Sequence, residues 1–339
     1  MSSSPIIQVQ ALSFPWQTID PFLFCVHHND AYPAGDAGMA PQATLAGRNI
    51  GQDFSGKDGW SMYHGQSVPG FPSHPHRGFE TVTIVRKGRI DHSDSAGATA
   101  RFGDGDVQWL TAGKGIVHCE MFPLLHQDKP NPTELFQIWL NLPAKSKMAD
   151  AHFTMFWNED IPRQEQTDAQ GKATSIACIA GTLTGAKCLP PPPDSWASES
   201  DADLAILTIK MEAGAQWTLP AAHSASTKRQ LYFFVGSQIT LAGKSIPASS
   251  VVQVAGDQAI DLVNGPQPAE LLLLQGRPIG EPVAQYGPFV MNTQAEIHQA
   301  FADYRRTEFG GWPWGKSDPV HPRDKGRFAI HTDGRVEER

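Results

Sequence analysis

The fold is decided by His74-Pro75-His76-Arg77-Gly78-Phe79-Glu80 and by Gly113-Lys114-Gly115-Ile116-Val117-His118-Cys119-Glu120. Each stretch carries a pair of strong metal-ligating side chains two residues apart: His74 with His76, and His118 with Glu120. Side chains at positions i and i+2 of a β-strand point to the same face of a sheet. Two neighbouring strands with one pair each therefore direct three imidazoles and one carboxylate toward a single point. The sequence predicts a β-domain with a metal site.

The chemistry of this ligand set suits a divalent transition metal. Iron, manganese, nickel, copper and zinc all accept imidazole together with carboxylate. Residues 81–85 and 107–110 are rich in β-branched and aromatic side chains, which is typical of strands. The competing interpretation is that these histidines are structural or lie on the surface. Two pairs within one predicted β-domain favour a metal site.

Length and charge limit the architecture and the partners. A chain of 339 residues is too long for one typical domain and suits two. Its 31 glycines and 27 prolines interrupt many short segments, as an all-β chain requires. The net charge is −8 and lysine and arginine form no cluster, so we expect no direct binding of nucleic acid.

Three regions follow from the pattern of strands and connectors. We predict a metal-binding domain over residues 1–145, a second β-domain over residues 146–290, and a helix with a surface tail over residues 291–339. The two β-domains resemble each other weakly, which suggests an internal repeat. The second copy offers only His223 where the first has a ligand pair, so it is expected to lack metal ligands.

The predicted helix is marked by a capping box, with Thr293 as N-cap and Glu296 three residues later. Arg327 to Arg335 is predicted to form a hairpin with an Asp-Gly turn. Residues 30–65 form a long insertion with little periodicity. Its residues 60–64 could roof the metal pocket or anchor the loop on the outside of the domain, and the sequence leaves both open.

Four cysteines, Cys25, Cys119, Cys178 and Cys188, are scattered without Cys-x-x-Cys spacing. They are expected to be reduced thiols of a cytoplasmic protein. Strand alternation turns Cys119 away from the metal site. No export signal and no apolar run of about 18 residues is present, so no membrane association is expected.

A family resemblance follows from these motifs. Residues 71–82 read Phe-Pro-x-His-Pro-His-Arg-Gly-Phe-Glu-Thr-Val, and residues 105–121 read Gly-Asp-Val-Gln-Trp-x-Thr-Ala-Gly-x-Gly-Ile-x-His-x-Glu-Met. Together with residues 136–142 and 287–293, they resemble the signature of pirins, the bicupin proteins of the cupin superfamily. The resemblance runs from about residue 20 to residue 309. It implies an all-β fold of two tandem cupin domains, jelly-roll-like β-barrels, followed by a C-terminal helix and tail.

The resemblance also implies a site and an activity. Pirins hold one metal, usually iron, in the N-terminal cupin, and the matching ligands are His74, His76, His118 and Glu120. The implied activity is quercetin 2,3-dioxygenase, with dioxygen and a flavonol-like aromatic substrate, and with Glu120 serving as ligand and as catalytic base. The first alternative is a non-enzymatic metal-binding regulatory protein that binds a transcription regulator or a metabolic enzyme. The second is a metal-dependent isomerase or another cupin enzyme. We expect a monomer.

Glu80 competes with Glu120 for the carboxylate position, because the general cupin motif has a glutamate ligand after the His-x-His pair. Both glutamates share strand parity with the histidines, so parity alone does not choose between them. Glu120 is about 7 Å from His118 along its strand, whereas Glu80 is about 13 Å from His76. Glu120 is therefore favoured, and Glu80 is predicted to serve packing or to form an ion pair with a base such as Arg77. Candidate pocket residues are Phe71, Trp109, Met121, Phe136 and Gln137.

Overall fold

A computed structural model of the protein describes residues 4–183 and 186–339. The structure consists mainly of short strands, as the many glycines and prolines of the sequence predict. In chain order the strands are β1 (Ile6–Ala11), β2 (Phe22–Tyr32), β3 (Gly70–His76), β4 (Phe79–Lys87), β5 (Arg89–Asp94), β6 (Thr99–Gly103), β7 (Val107–Thr111), β8 (Ile116–Met121), β9 (Asn131–Asn141), β10 (His152–Phe156), β11 (Arg163–Thr167), β12 (Ala173–Ala180), β13 (Thr182–Leu183), β14 (Ala186–Lys187), β15 (Ala205–Met211), β16 (Gln216–Leu219), β17 (Lys228–Val235), β18 (Gln238–Leu241), β19 (Lys244–Pro247), β20 (Ser250–Val254), β21 (Ile260–Asn264), β22 (Ala269–Gly276), β23 (Ala284–Tyr286), β24 (Phe289–Met291), β25 (Phe328–Ile330) and β26 (Val336–Glu338). The helix α1 spans Gln294–Thr307.

The chain forms two compact units whose boundaries differ from the predicted ones at both chain ends. The ligand-bearing unit consists of Val26–Asn158 and Glu281–Arg339, and the second unit consists of the described residues up to Cys25 together with Glu159–Gly280. Strand pairing explains why the N-terminal residues belong to the second unit and the C-terminal residues to the ligand-bearing unit. β1 pairs with β20 of the second unit, and β25 pairs with β6 of the ligand-bearing unit.

The ligand-bearing unit contains a five-stranded sheet in the order β10-β7-β4-β9-β2 and a six-stranded sheet in the order β26-β25-β6-β5-β8-β3. Alternate residues of both sheets form one buried core, which includes Val85, Ile90, Leu110 and Phe122. Two antiparallel sheets that enclose one core are the jelly-roll arrangement of a cupin. The expected all-β fold of two cupin domains is confirmed.

The second unit repeats this plan with a seven-stranded sheet, β1-β20-β17-β22-β15-β12-β11, and a four-stranded sheet, β16-β21-β18-β19. His223 is exposed there and pairs with Asp203, as expected for a surface histidine. Cys178 and Cys188 form a disulfide with their Cα atoms 5.9 Å apart, a normal separation for such a bond. The prediction of four reduced thiols is therefore wrong for this pair, whereas Cys25 and Cys119 are free and buried.

The C-terminal elements belong to the ligand-bearing unit. Helix α1 begins with the predicted capping box, because Thr293 accepts from the backbone N–H of Glu296 and the Glu296 carboxylate accepts from the backbone N–H of Thr293. Its residues Ile297 and Ala300 are buried against Phe289. The predicted hairpin of the tail forms from β25 and β26, which extend the six-stranded sheet through β6.

Residues 33–69, which join β2 to β3, correspond to the predicted insertion. Trp60, Met62 and Tyr63 of this segment are buried in the same core as Val85 and Phe122. These side chains pack in the interior of the domain, so an anchor on its outside is not observed, and a roof over the metal pocket stays a prediction. Among the residues that the structure describes, no helix has the length and apolar character needed to cross a membrane.

Candidate metal centre

Three histidines converge where β3 and β8 pair antiparallel. His74 lies opposite His118 in the register of the two strands, and His76 lies opposite Ile116. The candidate ligand atoms of the three imidazoles all lie within 4.8 Å of one another. The ring centroid of His118 is 4.5 Å from that of His74 and 4.9 Å from that of His76. The i, i+2 spacing thus produces the predicted convergence of imidazoles.

Burial keeps these imidazoles neutral, which is the form that binds a metal. Desolvation lowers the pKa of His74 to about 4 and holds the pKa values of His76 and His118 well below their usual range. Mutual repulsion with the neighbouring imidazoles acts in the same direction. At neutral pH each ring therefore offers a nitrogen lone pair.

The hydrogen bonds of the three rings leave room for a metal. The Nδ1 atom of His74 lies 2.8 Å from the carbonyl oxygen of Pro72, and Nδ1 of His76 lies 3.4 Å from that of Pro288. A proton on Nδ1 leaves Nε2 free as a ligand. Both ring nitrogens of His118 are buried without a hydrogen-bond partner in the described structure. A buried polar atom without a partner is costly, so a metal ion fits this donor set.

Glu120 shares the face of His118 but is not part of the group of three histidines. Its Oε1 atom lies 2.9 Å from the hydroxyl of Thr83, and its Oε2 atom accepts from Nε2 of Gln137 at 2.7 Å. The Thr83 hydroxyl also lies 2.7 Å from Oε1 of Gln137. Gln137, a predicted contact of the site, thus holds the carboxyl group directly.

These three contacts need one more proton than an ionised carboxylate supplies. The single hydroxyl proton of Thr83 cannot be donated to Glu120 and to Gln137 at once. A protonated Glu120 donates to Thr83, which then donates to Gln137. If the Gln137 amide is turned over, so that its nitrogen faces Thr83 and its oxygen faces Glu120, the three contacts still lack one proton. Burial raises the pKa of Glu120 in agreement with this state.

Glu80 lies on the other side of the sheet. The parity argument fails because β3 ends at His76 and β4 begins at Phe79, with a turn at Gly78 between them. Glu80 accepts a hydrogen bond from the Thr111 hydroxyl at 2.7 Å, whereas Thr83 of the same strand faces Glu120. Glu80 is fully buried, in agreement with the predicted packing role, and Arg77 forms an ion pair with Asp303 of α1.

His92 is a site residue that the sequence reasoning missed. It lies directly opposite Glu120 in the pairing of β5 with β8, so both side chains face the interior. Its ring is fully buried and stacks on Phe153, and its Nε2 atom lies 3.2 Å from Oδ2 of Asp94. The signal was present in the sequence, because His92 and Asp94 have the same i, i+2 spacing as the two ligand pairs.

The other predicted pocket residues divide by strand face. Phe71 lies near the site, with its ring centroid 6.4 Å from that of His74. Trp109 pairs with Val82 and Phe136 with Ile84, on the face opposite Thr83. Met121 and Cys119 are buried together in a separate cluster, which confirms the outward direction predicted for Cys119.

Family models match both halves of the chain. The model described as Pirin matches residues 11–140, and the model described as Pirin C-terminal cupin domain matches residues 206–310. The first match contains all three clustered histidines and Glu120. The expected family resemblance is confirmed.

Individual proteins agree with the family models. The chain is 36% identical to Pirin-1 of Arabidopsis thaliana, over 71% of this chain and 78% of that protein. It is 35% identical to a Pseudomonas aeruginosa protein named "Putative quercetin 2,3-dioxygenase", over 70% of this chain and 79% of that protein. A solved structure of quercetin 2,3-dioxygenase from Acinetobacter baumannii is similar, with a TM-score of 0.69, 25% identity and coverage of 90% of this chain and 98% of that chain. The chain belongs to the pirin family.

Proposed function

We propose that this chain is a metal-dependent dioxygenase of the quercetin 2,3-dioxygenase type, which acts on a flavonol-like substrate with dioxygen at a mononuclear iron site. The observation that carries the proposal is the convergence of three neutral imidazoles, with both ring nitrogens of His118 unpartnered among the described residues. The names of the relatives from Pseudomonas and Acinetobacter support this choice of reaction.

His74, His76, His118 and Glu120 would hold the metal. A bound ferrous ion supplies Lewis acidity toward a flavonol hydroxyl and redox chemistry toward dioxygen. Glu120 would join the ligands by giving up its contacts with Thr83 and Gln137. Four protein ligands leave coordination positions open for exchange, as a catalytic site requires.

Glu120 is also the proposed base. Burial raises the pKa of its carboxyl group in the metal-free protein. A carboxylate bound to a metal is a weaker base, so the catalytic role requires Glu120 to leave the metal or to bind it through a long bond. In the metal-free protein, Thr83 and Gln137 hold its two oxygens and orient the carboxyl group. In this proposal Glu120 accepts the proton that a flavonol hydroxyl loses.

Flavonol turnover under air tests the proposal. The protein is reconstituted with ferrous iron, its metal content is measured, and the decay of quercetin absorbance is followed. We expect turnover that a chelator abolishes and that His118→Ala loses. His223→Ala is the matched control, because His223 is an exposed histidine of the second unit. Full iron occupancy with no turnover across roughly pH 6 to 9 would refute the dioxygenase and favour the regulatory alternative.

A further inference from the structure

A series of aromatic rings leads from the candidate ligand His74 to the protein surface. The ring centroid of Phe71 is 6.4 Å from that of His74, and the ring centroid of Phe54 is 6.5 Å from that of Phe71. His64 lies 5.7 Å from Phe71 and 5.1 Å from Phe54. His74 is only partly buried, in contrast to His76. The series therefore starts at a side of the metal centre that reaches toward solvent.

Phe54 is an exposed ring of this series, with 49% of its surface accessible to solvent. Its backbone neighbours are nevertheless held on both sides. Asp53 and Tyr63 exchange two backbone hydrogen bonds of 2.8 Å, and the Ser55 hydroxyl donates to Oδ1 of Asp53 at 2.6 Å. The ring itself packs edge-on against Tyr63 at 5.4 Å. A large apolar side chain is thus presented to solvent by an ordered backbone.

The segment around Phe54 is fixed by a buried arginine. Nη1 of Arg48 donates to Oδ2 of Asp53 at 2.9 Å and to the carbonyl oxygen of Trp60 at 2.8 Å. Nη2 donates to the carbonyl oxygen of Lys57 at 2.6 Å, and the guanidinium lies 3.4 Å from the centroid of the Trp60 ring. One side chain therefore ties together both ends of the turn that carries Phe54.

A second network attaches this turn to β2. The Tyr63 hydroxyl donates to Oδ2 of Asp30 at 2.7 Å and lies 2.8 Å from Nδ1 of His28. The backbone N–H of Ser61 donates to Oδ1 of the same aspartate at 2.9 Å. The Tyr63 ring stacks on Phe71 at 5.1 Å. The insertion is thereby pinned to the barrel close to the rings that approach His74.

We propose that Phe54 and Phe71 are specificity-determining residues that form a preset aromatic platform for a planar aromatic substrate, which stacks on one ring and meets the other, tilted by 54°, at its edge. Burying half-exposed aromatic surface is favourable, and aromatic pairs gain further energy from stacking. Because the platform is held by buried hydrogen bonds, binding costs little conformational entropy. The inference rests on the proposed function for the choice of a flavonol. It goes beyond that function by assigning recognition to the insertion.

Anaerobic binding separates this inference from the dioxygenase reaction, since no turnover occurs without dioxygen. Quercetin is titrated into iron-reconstituted wild type, Phe54→Ala, Phe54→Tyr and Phe14→Ala, with heat as the readout. Phe14 is the matched control, a phenylalanine with 68% of its surface exposed in the second unit. Metal content and thermal unfolding are measured for every variant.

We expect Phe54→Ala to weaken quercetin binding about fivefold to tenfold, with unchanged metal content. Phe54→Tyr should retain most of the affinity, and Phe14→Ala should bind like wild type. Under air, the alanine variant should show a raised KM with little change in kcat, because the lost contact is remote from the reacting atoms. Equal affinity of wild type and Phe54→Ala, or no quercetin binding by wild type, would overturn the inference. Tight binding with no turnover would leave it standing and refute only the dioxygenase.

Discussion

His92 lies directly across the strand pair from Glu120, and its ring centroid is 5.6 Å from that of His118. The imidazole fills the space between His118 and Phe153, whose ring stacks on it at 5.3 Å. His92 therefore packs beside two candidate ligands, His118 and Glu120. Residues that orient ligands commonly matter for metal affinity almost as much as the ligands do.

We predict that His92→Ala weakens metal retention about tenfold and lowers the free energy of unfolding by about 2–3 kcal/mol. The cavity lets the His118 ring turn away from the other two imidazoles. Metal content after dialysis against a graded chelator series gives the first value, and urea unfolding gives the second. His76→Ala, which removes a proposed ligand, sets the lower limit for metal content. Retention equal to wild type would show that His92 is only a packing residue.

The sequence predicted the parts of the site that depend on local geometry. His74 and His118 converge because strand alternation is local and their strands are adjacent. Glu80 was misplaced because parity does not survive the turn at Gly78. That glycine has a φ of 84°, and a Cβ there would lie 2.0 Å from the carbonyl oxygen of Val290. The pairing of β1 with β20 joins residues far apart in the chain, and no short-range pattern encodes it.

Replacing Glu120 by Gln should stabilise the metal-free protein and weaken metal binding. Burial raises the pKa of Glu120 above its ordinary value of 4.5, so the folded state favours the neutral carboxyl group. The stability that this group contributes is present below the ordinary value and is lost as pH rises through the raised one. As pH rises from about 5 to 8, above the ordinary pKa of a glutamate, the melting temperature of metal-free wild type should fall relative to that of Glu120→Gln. Melting temperatures of the two proteins that change in parallel with pH would contradict a neutral Glu120.

Glu80→Gln should have the opposite pattern, and it serves as the companion to Glu120→Gln. Glu80 is fully buried and accepts from Thr111 on the outer face of the sheet. We expect a loss of about 1–2 kcal/mol of unfolding free energy with unchanged metal content. Mass spectrometry of chelator-washed protein measures the metal. Loss of metal in this variant with full retention in Glu120→Gln would reverse the assignment of the carboxylate ligand.

The ion pair of Arg77 with Asp303 should make stability depend on pH in acid. Hydrogen bonds from Arg77, Arg306 and Gln299 lower the pKa of Asp303 from 3.8 to about 2. Its contribution is therefore present above the ordinary value and is lost as pH falls toward 2. Asp303→Asn should cost about 1 kcal/mol at neutral pH, and the difference from wild type should shrink below pH 4, roughly the ordinary pKa of an aspartate. Urea unfolding of both proteins from pH 7 to 3 measures this difference in the free energy of unfolding.

Because Cys178 and Cys188 form a disulfide, we expect the protein to contain two free thiols. Alkylation of the denatured, unreduced protein should modify Cys25 and Cys119 and leave Cys178 and Cys188 unmodified until a reductant is added. The bond closes a loop with a sequence separation of 10, for which loop-closure entropy predicts a contribution of about 3 kcal/mol. The Cys178→Ser/Cys188→Ser double variant should therefore melt at a lower temperature than wild type. Its metal content should be unchanged, because both cysteines belong to the second unit and all four proposed ligands belong to the other. Four alkylated cysteines before reduction would restore the interpretation of reduced thiols.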